Sequence, residues 1–100
     1  MAVLAQWNIP TRPGSSAVHA ATVRRQLEAL GLHCRAAIDE AGVNGIVVLT
    51  DWLHVTVFPD GWMRLAQRRA DGVFRFAPAT CSIEVLAWQI RVALRQPPAA

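Results

Sequence analysis

The sequence predicts an α+β two-layer sandwich, in which an antiparallel meander of four to five strands lies between an N-terminal and a C-terminal helix. Apolar residues recur at helical spacing near both ends of the chain, and between them the period falls to two. Turn-forming pairs interrupt that middle region at short intervals. With 100 residues, 53% hydrophobic and 17% charged, the chain is predicted to form one domain over 1–100.

The first helix is predicted over residues 17–30. Its apolar positions at helical spacing are Ala20, Val23, Leu27 and Leu30. Gly31 follows at the position of a C-terminal cap. The turn formers before the helix predict an extended N-terminal segment over 1–16, whose Ser15 and Ser16 are the expected helix caps.

Strands are predicted near 32–39, 45–50, 53–58, 62–68 and 73–76. Residues 60–66 and 71–77 resemble each other, since each begins with Asp-Gly and carries arginine at the third position after glycine. Two successive hairpins of the same kind account for this similarity, because Asp-Gly supplies the positive φ that tight hairpins need.

Alternation along the strands divides their side chains between two faces. The predicted core face carries Leu32, Cys34, Ala36, Ile38, Leu53, Val55, Val57, Met63, Leu65, Phe74 and Phe76. The opposite face carries His33, Arg35, His54, Thr56, Phe58, Trp62, Arg64 and Arg75. An open, basic face with aromatic rings is typical of single-strand binders, although any solvent-facing sheet tends to be polar. The candidate binding residues on this face are Arg35, His54, Trp62, Arg64 and Arg75.

The second helix is predicted from a cap at Thr80 or Ser82 to about residue 95, before a frayed tail over 97–100. One apolar stripe, suited to packing on the sheet, comprises Ile83, Leu86, Ala87, Ile90 and Leu94. A second stripe lies opposite, and we call Val85, Trp88 and Val92 the outer stripe. A helix that is apolar on two sides is usually covered on both. The alternatives for this cover are the N-terminal segment (with Val3, Leu4, Trp7 and Ile9), a second copy, or a partner protein, with Arg91 and Arg95 on the rim.

Several function classes lack support in the sequence. No serine or cysteine is paired with a base in a nucleophile pattern, so we expect no enzyme, no cofactor and no small-molecule substrate. Cys34 and Cys81 lack metal-ligand spacing, and we expect both to be core residues and no metal site. Neither a signal peptide nor a membrane span is predicted, which favours the cytoplasm. All ten basic residues are arginine, which suggests a GC-rich bacterial or phage origin.

These observations lead to one functional hypothesis and one alternative. The first is a small non-catalytic module that binds a protein partner or itself, comparable in size alone to anti-CRISPR and immunity proteins. The net charge of +3 and the basic open face support the alternative, a nucleic-acid-binding protein.

Overall fold

The computed structural model describes residues 13–98 and shows the predicted two-layer α+β arrangement. The elements are α1 (Pro13–Ala29), β1 (Arg35–Ile38), β2 (Gly45–Thr50), β3 (Leu53–Val57), β4 (Met63–Arg68), β5 (Phe74–Phe76) and α2 (Ile83–Leu94). The five strands form one antiparallel sheet in the order β1-β2-β3-β4-β5. Each strand therefore pairs with its neighbour in the chain, and the meander prediction is confirmed.

The first helix begins earlier than predicted. Pro13 is its first residue, a position that suits proline because the missing N–H would have no helical partner there. Residues 13–16 thus belong to α1, and the prediction that Ser15 and Ser16 precede it as caps is wrong. Residues 1–12, with the suggested internal cover, lie outside the described part of the chain.

The end of α1 agrees with the sequence. Gly31 has φ +86°, and its N–H donates to the Glu28 carbonyl at 2.9 Å. The N–H of Leu32 donates to the Leu27 carbonyl at 3.0 Å. Together these bonds form a Schellman motif, which needs the left-handed conformation that glycine adopts without strain.

Both helices pack on the same face of the sheet. α1 contacts chiefly β1 and β2, whereas α2 contacts β4. The buried side chains between the layers include Val23 and Leu27 of α1, Val55 and Leu65 of the sheet, and Ile90 of α2. We call this side the covered face and the other side the open face.

Two turns of the meander have the same structure. In one, Phe58 N–H donates to the Trp62 carbonyl and Gly61 N–H to the Phe58 carbonyl, at 2.8 and 2.9 Å. The turn over 69–73 repeats both bonds at 2.9 and 2.8 Å. The aspartate in each, Asp60 or Asp71, accepts a bond from the N–H two residues later. The sequence similarity of these segments therefore reflects two successive hairpins.

Three predicted core assignments at the margins are wrong. Ala36 and Ile38 point to the covered side, but Ala36 is exposed and Ile38 is 41% exposed. Their strand is at the sheet edge and has a neighbour on one side only, so the packing ends short of them. Cys81 is exposed rather than buried, whereas Cys34 is half-buried against the core.

Candidate functional site

The helix α2 is anchored at its start and on one side. Ser82 is its N-cap, and the Ser82 hydroxyl oxygen accepts a hydrogen bond from the Val85 N–H at 3.2 Å. The side facing the sheet buries Leu86, Ala87, Ile90 and Ala93. Leu94, predicted for this side, is 37% exposed, and Ala93 takes its place in the core.

The outer stripe of α2 lies at the surface of the described structure. Trp88, at its centre, is 65% exposed, and Val85 is 44% exposed, while Val92 is half-buried. Indole is mostly apolar, so leaving it in water forgoes burial that is worth about 1.5–3 kcal/mol for a large side chain. No packing within residues 13–98 provides that burial.

Beside the outer stripe, a groove of about 350 Å³ separates α2 from the end of β5. Its walls include Leu65, Ala77, Pro78, Trp88, Gln89 and Val92. The Gln89 Nε2 donates to the Pro78 carbonyl at 3.1 Å. Its Oε1 is buried and has no hydrogen-bond partner among the described residues. The groove is thus mainly apolar and contains one buried acceptor.

The two arginines expected on the rim have different roles. Arg91 donates from Nη2 to the Leu30 carbonyl at 2.7 Å, which ties the end of α2 to the end of α1. Glu84 lies at the start of the outer stripe and Arg95 beyond its end, and both are exposed. Arg91 is exposed as well, but its guanidinium is tied to the Leu30 carbonyl.

The open face differs from the predicted one at β5. Gln67 pairs with Arg75, while Ala66 pairs with Phe76, and directly paired residues share a face. Gln67 follows Leu65 in alternation on the covered face, so Arg75 also points to that side and lines the groove. The prediction of Arg75 on the open face, and of Phe74 and Phe76 in the core, is wrong by one residue of register.

The open face consequently carries more aromatic side chains than predicted. Strand pairing assigns it Arg35, Ala37, Ile46, Val48, His54, Thr56, Arg64, Ala66, Arg68, Phe74 and Phe76. Alternation beyond the Val57–Met63 pair adds Phe58 and Trp62 at one end. Phe76 is 55% exposed, Trp62 45% and Phe74 41%. Four of the five candidate binding residues, Arg35, His54, Trp62 and Arg64, therefore do share this face.

Aromatic rings hold the central arginine of the open face. The guanidinium carbon of Arg64 lies 4.1 Å from the ring centroid of Phe76 and 5.4 Å from that of Phe58. The Arg64 Nε is buried and makes no hydrogen bond within the described structure. Cation–π attraction to the rings therefore helps to hold this charge where a hydrogen bond is missing.

A histidine and a second ring lie beside this stack. The rings of His54 and Phe74 meet edge to face, with centroids 5.4 Å apart. Burial lowers the pKa of His54 below its usual 6.5, and the nearby Arg64 charge lowers it further. His54 is thus uncharged at neutral pH and contributes a ring rather than a cation to the open face.

Sequence reasoning missed Phe74, Phe76 and Arg68 as open-face residues. A usable signal was present, because the repeated turn centres one hairpin on Asp60 and the next on Asp71. Counting outward from these two centres gives the face of every residue in β4 and β5.

No group of three or more histidine, cysteine, aspartate or glutamate side chains within residues 13–98 is arranged to hold a metal ion. Neither described helix has the length and apolar character required to cross a membrane. Comparison of the chain with protein-family models, curated proteins and solved structures gave no match.

Proposed function

We propose that this protein is a non-catalytic protein–protein interaction module that binds through the outer stripe of α2, with a second copy of itself as the first partner. The exposure of Trp88 carries the proposal, since 65% of this residue is exposed in the middle of an apolar stripe. Tryptophan is among the residues most often found as interface hot spots, where truncation costs about 2 kcal/mol or more.

The stripe is complementary to itself in an antiparallel arrangement. Val85 precedes Trp88 by three residues and Val92 follows it by four. If α2 of a second copy crosses near Trp88 in the opposite direction, each Val85 meets Val92 of the second copy and the two indoles lie side by side. A twofold axis repeats every contact, as in isologous dimers generally.

Charge also favours that direction. Glu84 lies before the stripe and Arg95 beyond its other end, on similar sides of the helix. Antiparallel pairing brings each Glu84 towards Arg95 of the second copy, whereas parallel pairing would place like charges together. The pairs would be exposed, so we expect them to set orientation more than affinity.

This function suits an adaptor or inhibitor of bacterial or phage origin. We place it in the cytoplasm, because Cys34 and Cys81 are both free thiols in the structure and thiols stay reduced in that compartment. Another protein partner would use the same stripe and groove, and could donate a hydrogen bond to the Gln89 Oε1.

Molar mass by light scattering, measured over a concentration series, tests the proposal. The variant is Trp88→Glu, and the matched control is Trp62→Glu, which places the same charge at an exposed tryptophan on the open face. We expect a dimer for the wild type and the control, and a folded monomer for Trp88→Glu. A wild type that stays monomeric, or a Trp88→Glu variant that stays dimeric, would contradict self-association through this stripe.

A charge exchange tests the antiparallel direction separately. Glu84→Arg and Arg95→Glu should each weaken the dimer, and the double variant should restore part of the lost affinity. Single variants that leave the dimer unchanged, or a double variant weaker than both, would contradict the antiparallel contact. Dimer dissociation constants from sedimentation equilibrium measure these effects.

A further inference from the structure

We propose that the open face of the sheet is a second binding site, which takes single-stranded nucleic acid. This inference is independent of the α2 interface, because the open face and α2 lie on opposite sides of the sheet.

The strands carry charge of one sign. None of the five strands contains aspartate or glutamate, whereas Arg35, Arg64 and Arg68 lie on the open face. The aspartates of the hairpin turns accept hydrogen bonds from backbone N–H groups of their own turns. Asp51 is the exception, with its Oδ2 4.0 Å from the Arg68 Nη2, and its side chain is 87% exposed. A ligand on this face therefore meets positive charge and needs negative charge to complement it.

The rings are arranged to receive bases one after another. Phe74 and Phe76 are alternate residues of one strand, so they lie about 7 Å apart on the same face. Both are at least 41% exposed. Arg68 is paired directly with Phe74, and Arg64 stacks on Phe76, so each ring has an arginine beside it for a phosphate. Stacked bases and neighbouring arginines are the combination by which open sheets hold single strands.

Two other occupants fit less well. A second copy would bring the same three arginines and no carboxylate from its own strands, so two open faces would repel each other. A duplex keeps its bases stacked on one another, which makes them unavailable to exposed rings. A single strand supplies both unstacked bases and phosphates.

Fluorescence anisotropy with labelled oligouridylate and oligothymidylate tests the inference. Strands of about ten nucleotides are used, because this length is within the range that one small domain covers. We expect saturable binding, with a slope of log K against log salt of about −2 if three phosphates are contacted. Unlabelled duplex of the same length should compete poorly.

Variants locate the site. Phe74→Leu and Phe76→Leu keep an apolar side chain but remove the ring, and each should weaken binding about 5- to 150-fold. Arg68→Ala should weaken it as well, whereas Arg75→Ala is the matched control. Arg75 is an exposed arginine on the adjacent strand that points to the covered face, and its removal should leave affinity near the wild-type value.

Three results would overturn the inference. The first is no saturable binding of either single strand by a folded wild type. The second is equal loss of affinity in Arg68→Ala and Arg75→Ala, which indicates diffuse attraction to total charge. The third is displacement by polyglutamate together with unchanged affinity in the leucine variants, which indicates a site for acidic proteins. Circular dichroism melting confirms that each variant is folded, and Trp88→Glu should bind the short strands as the wild type does.

Discussion

The two faces of one sheet differ in the kind of apolar side chain they carry. The covered face is built of aliphatic residues such as Leu53, Val55 and Leu65, which are 3% exposed or less. The open face has aliphatic residues such as Ile46 and Val48 in β2, but towards β4 and β5 it carries arginines and aromatic rings, and Phe74 and Phe76 stay at least 41% exposed. Aliphatic side chains fill the space between layers, whereas rings and guanidinium groups can stack on each other in contact with water. The covered face therefore supplies the core of the fold, whereas the open face is the one that we propose as a binding surface.

The largest expected difference between the two faces is in the cost of truncating a side chain. Leu53→Ala removes a side chain that is 1% exposed in the core, and should lower the free energy of unfolding by about 2–5 kcal/mol. Phe76→Ala removes a larger side chain from the open face but should cost about 1 kcal/mol or less, because more than half of Phe76 is already in water. Urea unfolding measures both values. Similar costs for the two variants would show that the open face is also structural.

The next prediction concerns the β3–β4 turn, which sets the register and therefore the face on which each residue of β4 lies. Gly61 has φ +93° in the β3–β4 hairpin, and a Cβ there would meet no other atom within 4 Å. Gly61→Ala should therefore destabilise the protein through backbone strain alone, by about 1–2 kcal/mol. Asparagine tolerates positive φ better, so Gly61→Asn should cost less in the same urea measurement. If alanine costs no more than asparagine, strain at this turn does not explain the glycine.

A smaller effect should appear as a pH dependence of the open face. The folded state lowers the pKa of His54, so the unfolded chain takes up the proton first as pH falls below 6.5. Stability should decline from that pH until His54 is also protonated in the folded protein. Between about pH 7 and pH 5, the melting temperature should therefore fall more for the wild type than for His54→Gln. Most carboxylates titrate below this range, so they contribute little to the difference.

His33→Gln, at an exposed histidine outside the strands, is the control for this measurement. It should follow the wild type over the same pH range. The interpretation fails if His54→Gln and the wild type show the same decline.

The smallest expected effect is a difference in reactivity between the two cysteine thiols, without a change in stability. Cys34 lies half-buried between α1 and β1, and burial raises its thiol pKa above 9.0, with the Glu28 charge adding to the effect. Cys81 is exposed at the start of α2. A thiol reagent at neutral pH should therefore modify Cys81 quickly and Cys34 slowly. Cys81→Ser should abolish the fast phase, and a fast phase that instead disappears in Cys34→Ser would contradict the described burial.

Most of the fold could be predicted from local patterns. The Asp-Gly turns, the alternation of β3 and β4, and the Ser82 cap are each properties of a few adjacent residues, and the structure confirms them. The error at β5 arose because a three-residue strand reads Phe-Arg-Phe, and its apolar alternation favours burial of the rings. Its actual face is set by the register inherited from β4 through the turn, which overrides that preference.

The candidate surfaces show the same division. The two apolar sides of α2 could be predicted, because a helical wheel needs only the order of residues. The attachment of Arg91 to the Leu30 carbonyl could not, since these residues are 61 positions apart and meet only when both helices are in place. The stack of Arg64 between Phe58 and Phe76 likewise depends on the pairing of three strands.

The sequence by itself determined the order of the elements, the positions of the turns and the apolar excess of α2, because periodicity and turn chemistry act over short distances. Tertiary structure decided which side chains the layers cover. Both helices pack on one face of the sheet, so Phe76, which the register places on the other face, remains exposed despite its apolar character. Ile38 points to the covered face but lies at the end of an edge strand, and it is exposed as well. Coverage depends on the width of the helix layer and on register carried across the sheet, and neither is encoded in any single segment.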